Sequence, residues 1–99
     1  MSLPVGLISF KTIYFHFTDI NAKEDELRNT MNHFRKGIGI IEIDNMTHLE
    51  SLYEELLITS NEFKLLIISK PNDLKKYNYL HRLFVDKYNL IKEFINLYY

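Results

Sequence analysis

The stretch FKLLIIS (63–69) decides the predicted fold, because a continuous apolar run of this length is typical of a central β-strand covered on both faces. Pro71 follows and ends the run. Two other stretches have the composition of strands: LISFKTIYFHFT (7–18), which is rich in aromatic and β-branched residues, and the short IGIIEI (38–43). The sequence therefore predicts three strands.

Helical patterns separate these predicted strands. Asn21 and Glu24 have the spacing of a capping box, in front of an apolar stripe with helical periodicity. Gly37 then offers the residue type that most often follows a helix end. These signals predict a helix over residues 22–36.

Two more helices are predicted further along the chain. Asp44 or Thr47 begins the second, which ends at Ser60. The third covers residues 72–98 and contains no helix breaker, so it would be about 40 Å long at 1.5 Å per residue. Because that length exceeds the width of a compact domain of this size, we expect it either to kink near Asp86–Asn89 or to project.

The alternation of strands and helices predicts the fold class. We expect one domain over residues 1–99, with three helices on a small sheet of three or more strands. Parallel strands with right-handed crossovers would give an α/β fold. If the long first strand pairs in the antiparallel direction instead, the fold is α+β.

The predicted C-terminal helix is apolar over about half of its circumference, which is wider than the stripe of an ordinary surface helix. One stripe can pack on the domain's own sheet, whereas the second needs another cover. That cover is either the rest of the fold or another chain, for which a two-fold homodimer is the commonest arrangement. The second stripe is the predicted interface, and it contains Tyr79, Leu83, Leu90, Phe94 and Leu97.

Charge is distributed unevenly along a chain whose net charge is -1. Residues 19–62 carry an acidic excess and residues 63–99 a basic one, so the two parts either pack on each other or the basic part meets an acidic partner. The polar side of the last helix holds Lys75, Arg82 and Lys92. Three such contacts support only weak, salt-sensitive binding to nucleic acid, which is the alternative function and not the expected one.

The composition argues against catalysis. The chain has 0 Cys and 4 His, and no two histidines have the i, i+4 spacing that binds zinc on a helix. We therefore expect no catalytic residue, no metal site and no cofactor, and we expect the protein not to be an enzyme. No run of about 18 apolar residues is present, so we expect no membrane span and a cytoplasmic location.

The chain as a whole resembles the small orphan proteins of filamentous viruses of acidophilic hot-spring archaea, the lipothrixvirus and rudivirus group. The stretches that carry this resemblance are IGIIEIDN (38–45), KLLIISKPND (64–73) and NLIKEFINLYY (89–99), together with the lack of Cys and Trp. It implies a thermostable, often dimeric viral protein that acts in the host-cell cytoplasm by binding a host protein. Protein–protein interaction without catalysis, through a homodimer, is thus the predicted function.

Overall fold

The computed structural model describes residues 8–36, 43–70 and 72–97. These residues form three α-helices in the order α1 (Phe10–Arg35), α2 (Ile43–Ser69) and α3 (Leu74–Asn96). No strand occurs within the described ranges. The prediction of an α/β or α+β fold with a sheet is therefore wrong, and the described chain is all-helical.

The first predicted strand, 7–18, is the N-terminal part of α1 from Phe10 onward. Ser9 caps this helix, since its hydroxyl oxygen accepts a hydrogen bond from the backbone N–H of Thr12 at 3.1 Å. Further along, the hydroxyl of Thr18 bonds back to the carbonyl oxygen of Tyr14, so the polar group of a β-branched residue is satisfied inside a helix. Asn21, the predicted cap, lies in the middle of α1.

The other two predicted strands have different outcomes. The second predicted strand covers residues 38–43. Residues 38–42 lie outside the described residues, and Ile43 is the first residue of α2. The stretch 63–69 is the last part of α2, which continues past the predicted end at Ser60. Its apolar run divides between two faces of one helix, because Phe63, Leu66 and Ile67 are buried while Leu65 and Ile68 are exposed.

Helix α3 is continuous from Leu74 to Asn96, and this range includes Asp86–Asn89, where a kink was one of the two predicted alternatives. Asp73 caps it by accepting a hydrogen bond from the backbone N–H of Lys76 at 3.2 Å. The helix does not need to project, because α1 and α2 are as long as α3 and lie along it. The result is a rod with extents of 56 × 20 × 18 Å.

The three helices run up, down and up. The ring of Phe63 packs on that of Tyr77, and His48 packs on Phe94, so α2 and α3 are antiparallel. Arg35, at the end of α1, bonds to Glu50 near the start of α2. His16, near the start of α1, lies close to Phe63 near the end of α2. Helices α1 and α2 are therefore also antiparallel. This topology follows from short connections between helices of similar length.

The core runs along the axis of the rod. Buried residues recur at spacings of three and four along each helix, which is the pattern of helices packed side by side at small crossing angles. In α1 they are Ile20, Glu24, Leu27, Met31 and Phe34; in α2, Leu49, Tyr53, Leu56, Thr59, Ser60, Phe63, Leu66 and Ile67; and in α3, Tyr77, Leu80, Phe84, Ile91 and Ile95. Half-buried Tyr88 occupies the position between Phe84 and Ile91.

Candidate interaction surface

The predicted interface on α3 is only partly covered by the protein's own fold. Tyr79, Leu90 and Leu97 are 63%, 50% and 76% exposed. Leu83 is half-buried, and so is Phe94, whose ring packs on the imidazole of His48 at 5.3 Å between centroids. The contact of Phe94 with α2 shows that this apolar flank of α3 lies on the side of α2.

Helix α2 adds apolar residues to the same side of the rod. Ile58 is 54% and Leu65 is 66% exposed. Leu65 and Lys76 line one cavity of about 310 Å³, which lies between the end of α2 and the start of α3. We call the surface formed by Ile58 and Leu65 of α2 with Tyr79, Leu83, Leu90 and Leu97 of α3 the α2–α3 face.

The sequence reasoning missed the contribution of α2 to this face. Residues 63–69 were assigned to a strand, so Leu65 was expected under a covering layer. The signal that could have found it is the spacing of Phe63 and Ile67, which continues the core positions of the preceding helix and leaves Leu65 on the opposite side. Ile58 is one heptad before Leu65, on the same side of α2.

The predicted nucleic-acid contacts are not equivalent. Lys75 and Arg82 are exposed. The amine of Lys92, however, lies 2.7 Å from the carboxylate of Glu26 in α1, and the hydroxyl of Tyr88 bonds to the same carboxylate. These contacts lower the pKa of Glu26, whereas burial and the bond to Glu26 raise the pKa of Tyr88 to about 12. Lys92 therefore joins α3 to α1.

A second apolar patch lies at the start of α1. Phe10, Tyr14 and Phe15 are all exposed in the first two turns of this helix, and Ile8 packs against the core just before it. The patch is separate in sequence from the α2–α3 face and was not predicted as a surface, because 7–18 was assigned to a strand.

A buried polar contact joins α1 to α2 in the middle of the rod. Glu24 occupies a core position, and its carboxylate accepts hydrogen bonds from the hydroxyl of Ser60 and from the amine of Lys64, the latter at 3.0 Å. Every polar side-chain atom buried in the described part of the chain has a hydrogen-bond partner. A single polar layer of this kind favours one register between neighbouring helices over others.

Two histidines meet between α1 and α3. The imidazoles of His16 and His81 are stacked at 4.3 Å between centroids, and Nδ1 of His16 lies 2.6 Å from the hydroxyl of Tyr77. Burial lowers the pKa of His16, and the neighbouring His81 lowers it further, against the opposing effect of Asp19. Burial also lowers the pKa of His81. Both shifts disfavour the protonated form of the rings.

This pair predicts a loss of stability in acid. Histidine in the unfolded chain binds a proton near pH 6.5, whereas His16 and His81 in the folded protein bind one only at lower pH. Between the lowered pKa values of the folded protein and pH 6.5, the unfolded state therefore binds more protons than the folded state. The free energy of unfolding falls as the pH drops below 6.5. Each unit of pKa depression corresponds to about 1.4 kcal/mol below that window.

Urea unfolding at fixed protein concentration, followed by circular dichroism between pH 7.5 and 5, measures this loss. We expect His16→Phe to reduce the loss. An equal acid loss in the wild-type protein and in His16→Phe would contradict the assignment to His16. The lowered pKa values of Glu26 and Glu50 act in a separate window below pH 4.5.

The described residues hold no group of three or more His, Asp or Glu side chains placed to bind a metal ion. A further cavity, of about 420 Å³, lies beside the bidentate contact of Arg35 with Glu50 and is lined in part by Tyr53 and Leu57 of α2. Within the described ranges, none of the helices is both long and apolar enough to cross a membrane.

The α2–α3 face is thus the largest group of exposed apolar side chains that two neighbouring helices share in the described chain. No protein-family model, no curated protein and no solved structure matches this chain.

Proposed function

We propose that this protein functions by protein–protein contact, without catalysis, and that its α2–α3 face binds a second copy of the chain. The observation that carries the proposal is the exposure of Leu90 and Leu97 in α3 beside Ile58 and Leu65 in α2. A patch of several large apolar side chains on a small protein is typical of a surface that binds another protein. A cytoplasmic location stays a prediction.

The size of the face supports a dimer. The rod is about 20 Å wide, and its helices are about 40 Å long at 1.5 Å per residue. One side of the rod therefore offers about 800 Å², which is what each partner of a standard protein interface contributes. Homodimer interfaces are also the class with the most apolar cores, in agreement with the side chains present here.

We expect Leu90→Lys to weaken the dimer by about 10-fold or more. Full burial of a leucine contributes about 1.5–3 kcal/mol, and the exposed half of Leu90 is buried twice in a two-fold dimer, once in each copy. Because Leu90 is half-exposed in the single chain, the variant should still fold. Sedimentation velocity over a range of protein concentrations gives the dissociation constant, and circular dichroism confirms helicity.

Ile68→Lys is the matched control. Ile68 is even more exposed than Leu90, but it lies one turn after Lys64, on the side of α2 that meets α1. We expect this variant to dimerise like the wild-type protein. A wild-type protein that sediments as a monomer at several hundred micromolar would overturn the proposal.

The nucleic-acid alternative has less support. Lys87 and Lys92 form ion pairs with Glu55 and Glu26, so two of the basic side chains of α3 already have acidic partners within the chain. The exposed basic residues of α3 that remain for contacts with phosphate groups are Lys75, Lys76 and Arg82. Anisotropy of a labelled oligonucleotide at 50 and 200 mM salt separates the two functions, since phosphate binding falls steeply with salt and apolar contact does not.

A further inference from the structure

We infer that the second copy lies with its long axis parallel to that of the first, so that α2 of each copy packs on α3 of the other. This inference rests on the proposed function, and it adds which helices meet. Two α2 and two α3 helices would then form a central array in which each helix is antiparallel to its neighbours, with α1 of each copy on the outside.

The charges of the two helices favour this arrangement. Helix α2 carries five acidic residues and one basic residue, and helix α3 carries five basic residues and two acidic ones. Glu50 and Lys92 bind residues of α1, so they do not contribute to the interface. The exposed charges that can contribute include Glu54 and Glu62 of α2 and Lys75, Lys76 and Arg82 of α3. A two-fold dimer of this rod has two face-to-face orientations in which the long axes of the two copies stay aligned. An axis across the rod places α2 on α2 of the partner, which brings acidic helices together. An axis along the rod places acidic α2 on basic α3.

The arrangement inside one chain already shows that α2 and α3 are complementary. They pack in antiparallel directions, with an apolar contact between Phe63 and Tyr77 and an ion pair between Lys87 and Glu55 at 3.3 Å. In the inferred dimer the same two helices meet in the same relative direction a second time, across the interface. Antiparallel arrays of four helices are a common way to bury apolar faces of this width.

The register across the interface follows from the register within the chain, because rotation about the long axis keeps every residue at its height. Glu55 and Lys87 mark one height. Ser51 precedes Glu55 by one helical turn and Leu90 follows Lys87 by one turn, so in antiparallel helices they also share a height. By the same reasoning, Ile58 reaches the height of Leu83. Both pairs are thus expected to meet between copies.

Cross-linking of single-cysteine variants tests this geometry directly, since the chain has no native cysteine. Ser51→Cys and Leu90→Cys chains are mixed and oxidised, and the covalent dimer is measured by non-reducing electrophoresis. A disulfide needs Cα atoms less than about 7 Å apart, so only residues that face each other will cross-link. Because each chain has one cysteine, no link can form within a chain.

We expect the Ser51→Cys and Leu90→Cys mixture to cross-link at least 10-fold faster than either variant alone. The control mixture, Ile58→Cys with Leu65→Cys, cross-links efficiently only if α2 meets α2 of the partner, and that result would overturn the inference. Sedimentation of the same samples separates the two levels of the argument. A dimer without the expected link contradicts the orientation alone, whereas the absence of any dimer contradicts the proposed function.

Discussion

Replacing Phe63 by alanine is expected to lower the free energy of unfolding by about 3–5 kcal/mol, because it leaves a cavity where the three helices meet. Phe63 is fully buried in α2. Its ring meets the ring of Tyr77 edge-on at 4.9 Å and lies 6.5 Å from the imidazole of His16, so α3 and α1 both lose a contact. Urea unfolding followed by circular dichroism measures the loss.

Leu65→Ala is the control, and it makes the experiment a test of the fold. Leu65 is on the opposite side of α2 and is 66% exposed, so we expect a loss within about 0.5 kcal/mol. In a β-strand the two residues would share one face and their losses would be comparable. Because Leu65 belongs to the α2–α3 face, the series is repeated on dilution, which removes any contribution from the dimer. Comparable losses in dilute protein would contradict a helical α2.

The same stretch shows why the fold class could not be predicted. Within FKLLIIS (63–69), a short continuous apolar run fits a buried strand and a buried helix equally well, and the run by itself cannot distinguish them. The deciding information is longer in range. The helical spacing of buried residues from Leu49 through Leu56 to Phe63 and Ile67 is unbroken. These residues lie on one face only if the whole segment forms a single helix. Preference for strands is set by tertiary context more than by residue type.

Helix α3 could be predicted because its pattern needs no context. Its buried and exposed sides are well separated over more than six turns, and a capping aspartate, Asp73, precedes it. The exposed flank on α3 was recognised for the same reason. Its continuation onto Ile58 and Leu65 could not be, since it depends on how α2 and α3 pack on each other. The charged bonds between helices, such as Lys92 with Glu26, also depend on packing.

We expect Lys64→Met to lower the free energy of unfolding by about 1–3 kcal/mol. The amine of Lys64 lies 3.0 Å from the carboxylate of Glu24, which is only 7% exposed at a core position of α1. Methionine keeps the apolar stem but removes the charge, so the carboxylate keeps only the hydroxyl of Ser60. A buried charge that loses its partner is costly, since water cannot replace the partner. Urea unfolding at pH 7 measures the loss, with Lys75→Met, at an exposed site, as the control.

The cost should disappear when the polar layer is removed as a whole. Buried ion pairs can often be replaced by apolar side chains without loss of stability, so Glu24→Leu, Ser60→Ala and Lys64→Met together should unfold at least as late in urea as the wild-type protein. If the triple variant stays as unstable as Lys64→Met alone, the loss does not come from the carboxylate of Glu24 losing its charged partner. What the triple variant should lose is a unique register between α1 and α2. An apolar layer fits several alignments of the two helices equally well, whereas the carboxylate of Glu24 has its partners at one alignment only. Doubled or broadened amide signals in the NMR spectrum of the triple variant would show that loss, and one sharp set of signals would show that the apolar core alone specifies the register.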